Sequence, residues 1–261
     1  MIGSHEPAHW VGPPTRLCFL ESLEVAPSGA GHPGSHGSGA IEPWVPASGF
    51  PAGDGRSELG LRVALTVKRG IDVFGGLIGL LGASVVIFGS ALAIWCSDRG
   101  PVFFRQKRCG QDGRTFWMWK LRTMVPDAEA RLGEVIDQNQ MDGPVFKCVN
   151  DPRTTDVGRL LRRFSLDELP QFWNVIKGDM SLVGPRPPLP DEVAHYTPYE
   201  RRRLAVRPGL TCTWQVSGRN SIPFDEWVRL DLDYIDHWSL RRDLTLIAKT
   251  IPAMLQGDGA S

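Results

Sequence analysis

The chain has 261 residues, 42% of them hydrophobic and 22% charged, and its 29 lysines and arginines equal its 29 aspartates and glutamates. That composition excludes a wholly disordered chain, a collagen-like repeat and a protein that holds nucleic acid through its overall charge. Five cysteines, Cys18, Cys96, Cys109, Cys148 and Cys212, are odd in number and form no CxxC pair, which argues against a disulfide scaffold or cysteine zinc site and points to a reducing compartment.

Residues 1–60 are rich in Gly, Pro and Ser, as in SGAGHPGSHGSGA at 28–40, and show no apolar periodicity. They bury too little surface to offset the entropy of ordering and read as a disordered tail. Arg16 and Arg56 stand against six carboxylates here, so the tail carries −4 and the rest of the chain +4. His5 with His9, and His32 with His36, have the i, i+4 spacing of metal ligands on a helix, but the glycines around them disfavour a helix and with it a metal site. The start lacks the basic and apolar regions of a signal peptide.

Residues 73–96 form a run of 24 without a charge. As a helix rising about 1.5 Å per residue it reaches roughly 36 Å, enough to cross a bilayer core. Arg62, Lys68 and Arg69 precede it, and Arg99, Arg105, Lys107 and Arg108 follow. Basic flanks belong on the cytoplasmic side, and here both ends qualify. Two topologies stay open: a straight span, or a re-entrant helix that bends near Gly82, Ser84 and Gly89 and returns both ends to one face.

Residues 101–108 and 115–124 read as strands joined by a turn, a β-hairpin. Alternation puts Lys120 and Arg122 on one face and Trp117, Trp119 and Leu121 on the other. A helix is predicted over 126–138. Trp227, Leu230, Tyr234 and Trp238 keep helical spacing, as do Leu240, Leu244, Ile247, Ile251 and Leu255. The expected fold is mainly α with a small β-hairpin. Its parts are a tail (1–60), a re-entrant or spanning membrane helix (61–99), and a cytoplasmic, membrane-associated catalytic domain with amphipathic C-terminal helices (100–261).

The densest chemistry lies in residues 159–190. Ser165 and Glu168 have the spacing of a capping box that opens a helix without any catalysis. Pro170 suits a first helical position and Gly178 the residue after the last turn. The same residues allow a second reading, in which Asp167 and Glu168 sit at the positive end of a helix dipole with Arg162 and Arg163 upstream. Carboxylates beside guanidinium groups stay ionised, and an ionised aspartate can act as nucleophile or metal ligand. Arg186 and Arg207 each precede a proline, which holds them extended, and planar guanidinium forks suit phosphate oxygens. With Lys120 and Arg122 they suggest an anion site facing two carboxylates, the arrangement that Mg²⁺ and substrate phosphates need. No GxxxxGK[ST] loop occurs, which excludes a P-loop NTPase. Arg201, Arg202 and Arg203 suit anionic lipid headgroups or a solvated face, and no motif supports a nucleic-acid partner.

In order along the chain stand KRGIDVFGG, GPVFFRQKRCGQDGRTFWMWKLRTM, RRFSLDELPQFWNVIKGDMSLVGPRP, VRPGLTCTWQVSGRN and LDLDYIDHWSLRRDL. In this ordered set, from about 63 to 255, the chain resembles the bacterial sugar transferases, monotopic phosphoglycosyl transferases that prime exopolysaccharide or O-antigen synthesis. The resemblance implies that Asp167 attacks the β-phosphate of a UDP-sugar, releases UMP and passes the phosphosugar to undecaprenyl phosphate. It implies Glu168 as a Mg²⁺ ligand together with Asp167, and Arg162, Arg186 and Lys120 beside phosphate groups. Implied partners are the UDP-sugar, undecaprenyl phosphate, lipids of the bacterial inner membrane and a second copy of the chain as a homo-oligomer, with no nucleic acid. The sequence departs from the family at Ser84, the expected break of the membrane helix, where Val85 replaces the usual proline, and at Cys212, where the family often has glycine. A catalytically silent membrane scaffold is the competing expectation, since it needs no carboxylate pair.

Overall fold

A computed structural model of the protein describes residues 49–51, 57–140, 143–145, 148, 150–217 and 222–256. The four histidines of the two i, i+4 pairs lie outside the described residues, as does most of the expected tail. Gly49, Phe50 and Pro51 do not behave as tail: Gly49 N–H donates to the Ala205 carbonyl at 2.7 Å, and Phe50 stacks on Trp238 with ring centroids 4.5 Å apart. One aromatic side chain offsets the ordering of its neighbours, which composition alone does not reveal.

The first helix, α1, is Glu58–Asp98. Ser57 opens it by accepting from Gly60 N–H at 3.1 Å, and Arg99 closes it in the left-handed conformation with φ 57°. The helix runs through Ser84 without interruption, so the expected break there is absent. Val85 keeps the N–H that a proline would lack, and the Ser84 hydroxyl donates to the Leu81 carbonyl at 2.7 Å. Among the described residues, α1 alone is long and apolar enough to cross a membrane.

One stripe of α1 is nevertheless buried: Lys68, Asp72, Gly76, Ser90 and Ile94. These positions recur at helical spacing and face the rest of the protein. Lys68 Nζ donates to Asp243 Oδ2 at 2.8 Å and to the Val183 carbonyl at 3.1 Å, while Asp72 accepts from Ser181 Oγ and Leu182 N–H, each at 2.9 Å. A Cβ on Gly79 would lie 2.5 Å from the Phe172 ring, so only glycine permits this approach. At the far end Asp98 pairs with Arg122. The opposite stripe is apolar and open, with Leu81 73% and Val85 78% exposed. Lys68 near the start of α1 and Asp98 at its end thus both contact the same domain.

After α1 the chain forms the expected hairpin, β1 (Phe103–Cys109) and β2 (Thr115–Leu121), antiparallel with Phe104 opposite Lys120. Its inner face places Phe116 and Met118 in the core beside Val175 and Met180, whereas Trp117 is exposed and stacks under Arg105 at 5.0 Å. The helix expected over 126–138 is instead turns and two short 3₁₀ stretches. The Ala128 carbonyl, which an α-helix would use internally, accepts from Arg153 Nη1 at 2.9 Å, and Gly133 adds a weak helix former.

Then follow α2 (Asp156–Arg163), α3 (Gln171–Lys177) and β3 (Ser181–Val183), with α4 (Pro190–Ala194) and α5 (Pro198–Arg201) before β4 (Gly209–Thr211). β3 and β4 form a parallel pair, and the turns beside them cross so closely that a Cβ on Gly209 would lie 2.1 Å from Gly184 N. The last helices, α6 (Phe224–Asp236) and α7 (Leu240–Gln256), close the main core around Trp227, Val228, Leu232, Tyr234 and Leu246. On α7 the expected apolar stripe is divided: Leu240 and Ile247 pack on the core, while Leu244 and Ile251 are exposed.

Asp243 also accepts from Tyr234 OH at 2.6 Å and Trp238 Nε1 at 3.1 Å. Asp243→Ala leaves Lys68 buried without its counter-charge and is expected to cost about 3–5 kcal/mol, measured by chemical denaturation of the detergent-solubilised protein. Lys68→Met combined with Asp243→Asn should recover most of that loss, since no uncompensated charge remains.

Candidate active site

Asp167 and Glu168 lie in a short 3₁₀ turn, Leu166–Glu168, between α2 and α3. Ser165 before it adopts φ 54° and its side chain makes no cap bond, so the capping box is absent. A left-handed serine costs roughly 1–2 kcal/mol, and it turns the chain between α2 and the short stretch that carries the two carboxylates. Pro170 precedes the helix that starts at Gln171 rather than occupying its first position, whereas Gly178 ends it as expected, at φ 99°.

The neighbours of the pair come from three elements. Lys120 on β2 donates to Glu168 Oε1 at 2.8 Å and lies 4.0 Å from Asp167 Oδ2. Arg162 on α2 is held by the Thr123 hydroxyl, which accepts from Nε at 2.9 Å, and by Thr154 Oγ1, 3.3 Å from Nη1. Arg186 lies 3.7 Å from the buried carboxylate of Glu192. Burial raises the Asp167 pKa above the ordinary carboxylate range, against the pull of Lys120 and Arg162 and with the push of Glu168. Burial acts upward on Glu168 as well, but Lys120, by charge and hydrogen bond, together with Arg186 and Arg108, outweighs it and leaves Glu168 below its usual value. The more basic carboxylate is the better nucleophile and the more acidic one the steadier cation ligand.

Of the residues proposed from sequence, the structure brings together Asp167, Glu168, Lys120, Arg162 and Arg186. It does not bring Arg122, which follows the last residue of β2 and pairs with Asp98 at the end of α1. Arg207 is also elsewhere: it lines a groove whose other walls belong to α1. Nor do Arg201, Arg202 and Arg203 form an open basic patch. Arg203 is buried against Asp231 at 2.7 Å, Arg202 pairs with Asp236 at 2.7 Å, and Arg201 Nε donates to the Tyr196 carbonyl.

Several contributors escaped the sequence reading. Arg108 is buried, donates to the Pro187 carbonyl at 3.1 Å and to Gln106, and thereby holds the loop that presents Arg186. Asn174 is buried, donates to the Trp117 carbonyl at 2.8 Å and accepts from Trp119 N–H at 3.1 Å. It clamps α3 to β2 and so sets Lys120 against the carboxylates. An amide amid the apolar QFWNVI was the visible signal.

Among the described residues no three His, Cys, Asp or Glu side chains converge as a metal cage. Asp167 and Glu168 fit a magnesium ion of the other kind, held by one or two carboxylates and completed by substrate phosphates. The four cysteines among the described residues are unpaired thiols.

Comparison with known proteins bears on this arrangement. The model of the family described as bacterial sugar transferase matches residues 63–257. The chain is 47% identical over 197 residues to the galactosyl transferase CpsE of Streptococcus agalactiae serotype III, covering 75% of this chain but 44% of that protein. It is 41% identical over 211 residues to the UDP-glucose:undecaprenyl-phosphate glucose-1-phosphate transferase of Caulobacter vibrioides, covering 76% of this chain and 74% of that one. It is 39% identical over 197 residues to the exopolysaccharide production protein ExoY of Sinorhizobium fredii, covering 74% and 87%.

Thr123→Val keeps the shape of the side chain but removes the acceptor for Arg162 Nε. The expected loss is about 1.5 kcal/mol, at the low end for a bond to a charged group because Arg162 is half-buried, read from the denaturation midpoint.

Proposed function

The chain is a member of the bacterial sugar transferase family, and on that premise we propose that it transfers a sugar 1-phosphate from a UDP-sugar to undecaprenyl phosphate at the bacterial inner membrane, with the catalytic domain on the cytoplasmic side. The name of the Caulobacter relative supports a lipid-carrier acceptor and a UDP-sugar donor, and that of the Streptococcus relative supports sugar transfer. The observation that carries the mechanism is a buried Asp167, more basic than an ordinary carboxylate, within 4.0 Å of a lysine ammonium.

An Asp167 oxygen attacks the β-phosphorus of the donor. The bond from that phosphorus to the α-phosphate oxygen breaks, and UMP leaves with the electron pair. The phosphosugar is then an acyl phosphate on Asp167. A phosphate oxygen of undecaprenyl phosphate attacks the same phosphorus, the bond to Asp167 breaks, and the carboxylate is restored. Two displacements replace one difficult transfer. Lys120, Arg162 and Arg186 hold the migrating negative charge through positioned donors. Glu168 and Asp167 would hold Mg²⁺, which when bound would supply charge neutralisation for the substrate phosphates. The exposed apolar stripe of α1 sits in the bilayer, which keeps the acceptor's phosphate at the depth of the site.

Incubation with a panel of UDP-sugars, Mg²⁺ and polyprenyl phosphate is expected to release UMP, and chelation of the metal to stop it. Asp167→Asn should lower turnover by at least about 10³-fold, because the amide is no nucleophile. Without acceptor, the denatured wild-type protein should carry one added sugar phosphate on the peptide that contains Asp167. An Asp167→Asn variant that still restores priming in a deficient strain would favour the scaffold instead.

The pH dependence follows from the direction of the shift. Asp167 reacts as its anion, so activity should rise with pH through a value above the ordinary aspartate pKa of about 3.9. Lys120 lowers the Asp167 pKa, and its removal raises it further. Lys120→Met is therefore expected to displace the acid limb of the kcat/KM profile to higher pH as well as to slow turnover.

A further inference from the structure

A groove of about 680 Å³ opens beside the first part of α1, lined by Leu65, Val73, Phe74 and Leu77 with Arg69 and Arg207. The Arg69 guanidinium is fixed: it donates to the Val175 and Ile176 carbonyls, each at 2.7 Å, at the C-terminal end of α3. The Arg207 guanidinium is exposed and makes no hydrogen bond or ion pair with any described residue. Prolonged as an apolar face, the groove continues into the exposed Phe74, Ile78 and Leu81 of the membrane stripe. A cation at the edge of an apolar trough, level with a bilayer surface, complements an amphiphile that has an anionic head and a hydrocarbon chain.

The groove and the carboxylate pair share no lining residue, and they lie at opposite ends of α3. The groove adjoins the carbonyl end of α3, whereas Asp167 and Glu168 precede Gln171, its first residue. Leu166, next to Asp167, packs with Ile94, far along α1 from Leu77. The groove is thus lined by residues separate from the carboxylate pair, and the occupant inferred is a lipid that does not react. The geometry points to a binding site for an anionic membrane glycerophospholipid, its phosphate on Arg207 and an acyl chain along Val73, Phe74 and Leu77. The site rests on the membrane placement of α1 proposed above, not on the transfer chemistry.

The test is native mass spectrometry of the full chain in detergent, titrated with phosphatidylglycerol or with zwitterionic phosphatidylcholine. One phosphatidylglycerol should be retained about tenfold more tightly than phosphatidylcholine, a preference of about 1.4 kcal/mol. Arg207→Gln should abolish the preference, and Arg114→Gln, at an exposed cation on the hairpin turn, should preserve it. Inorganic phosphate in excess should not displace the lipid, since it lacks the chain. Equal retention of the two lipids, an unchanged preference in Arg207→Gln, or displacement by inorganic phosphate would overturn the site. Displacement by one equivalent of undecaprenyl phosphate would overturn the choice of occupant in favour of the acceptor. Asp167→Asn should keep the bound lipid. Loss of the lipid preference with turnover intact therefore counts against the groove alone, and a lack of turnover with the lipid retained counts against the transferase mechanism alone.

Discussion

Lys68 lies on the most apolar helix of the chain, and an ammonium taken out of water costs several kcal/mol unless it is paired and hydrogen-bonded. Asp243 on α7 supplies the charge at 2.8 Å and the Val183 carbonyl a second acceptor. One turn on, Asp72 is satisfied by Ser181 and Leu182. These contacts fasten α1 to β3 and α7 on one side, and Asp98 with Arg122 fastens its other end. A helix tied at both ends to one domain leaves only its outer apolar stripe exposed. The polar positions on α1 thereby tie both of its ends to the same domain.

The same fastening arranges the chemistry. α1 packs on α3 through Gly79 and Phe172, α3 is clamped to β2 by Asn174, and β2 carries Lys120 to the two carboxylates. Each link is a close contact or a buried hydrogen bond with little freedom, as a positioned catalytic constellation requires. Within the turn, two adjacent carboxyl groups experience opposite net environments, one dominated by burial and the other by lysine and arginine charge. Environment, more than residue type, sets their acidities apart.

Much of this was legible in the chain. The hairpin follows from alternation and turn residues, α6 and α7 from helical spacing, and α1 from its uncharged run. Ordered motifs located Asp167, Glu168, Lys120, Arg162 and Arg186. The misread places share a cause: local propensity was overridden by a distant partner. Residues 126–138 form turns and short 3₁₀ stretches, and the Ala128 carbonyl accepts from Arg153 across the chain. Ser165 does not cap: it stands in a left-handed conformation and its side chain makes no cap bond. The triple arginine looked like a surface patch, yet Arg203 is buried with Asp231, and Phe50 in a tail-like segment found Trp238.

By itself the sequence determined the family, the helical character with its hairpin, the membrane-active helix and the residues of the carboxylate pair, because those depend on residue type, periodicity and ordered motifs. Only the tertiary structure decided which cations meet the pair. Lys120 and Arg122 are two residues apart, the second just past the end of β2, and one reaches Glu168 while the other reaches Asp98. Arg186 and Arg207 both precede a proline, but one lies near Glu168 and the other beside α1. Coulomb energy depends on distance and burial rather than on spacing along the chain, and those are set when the elements pack.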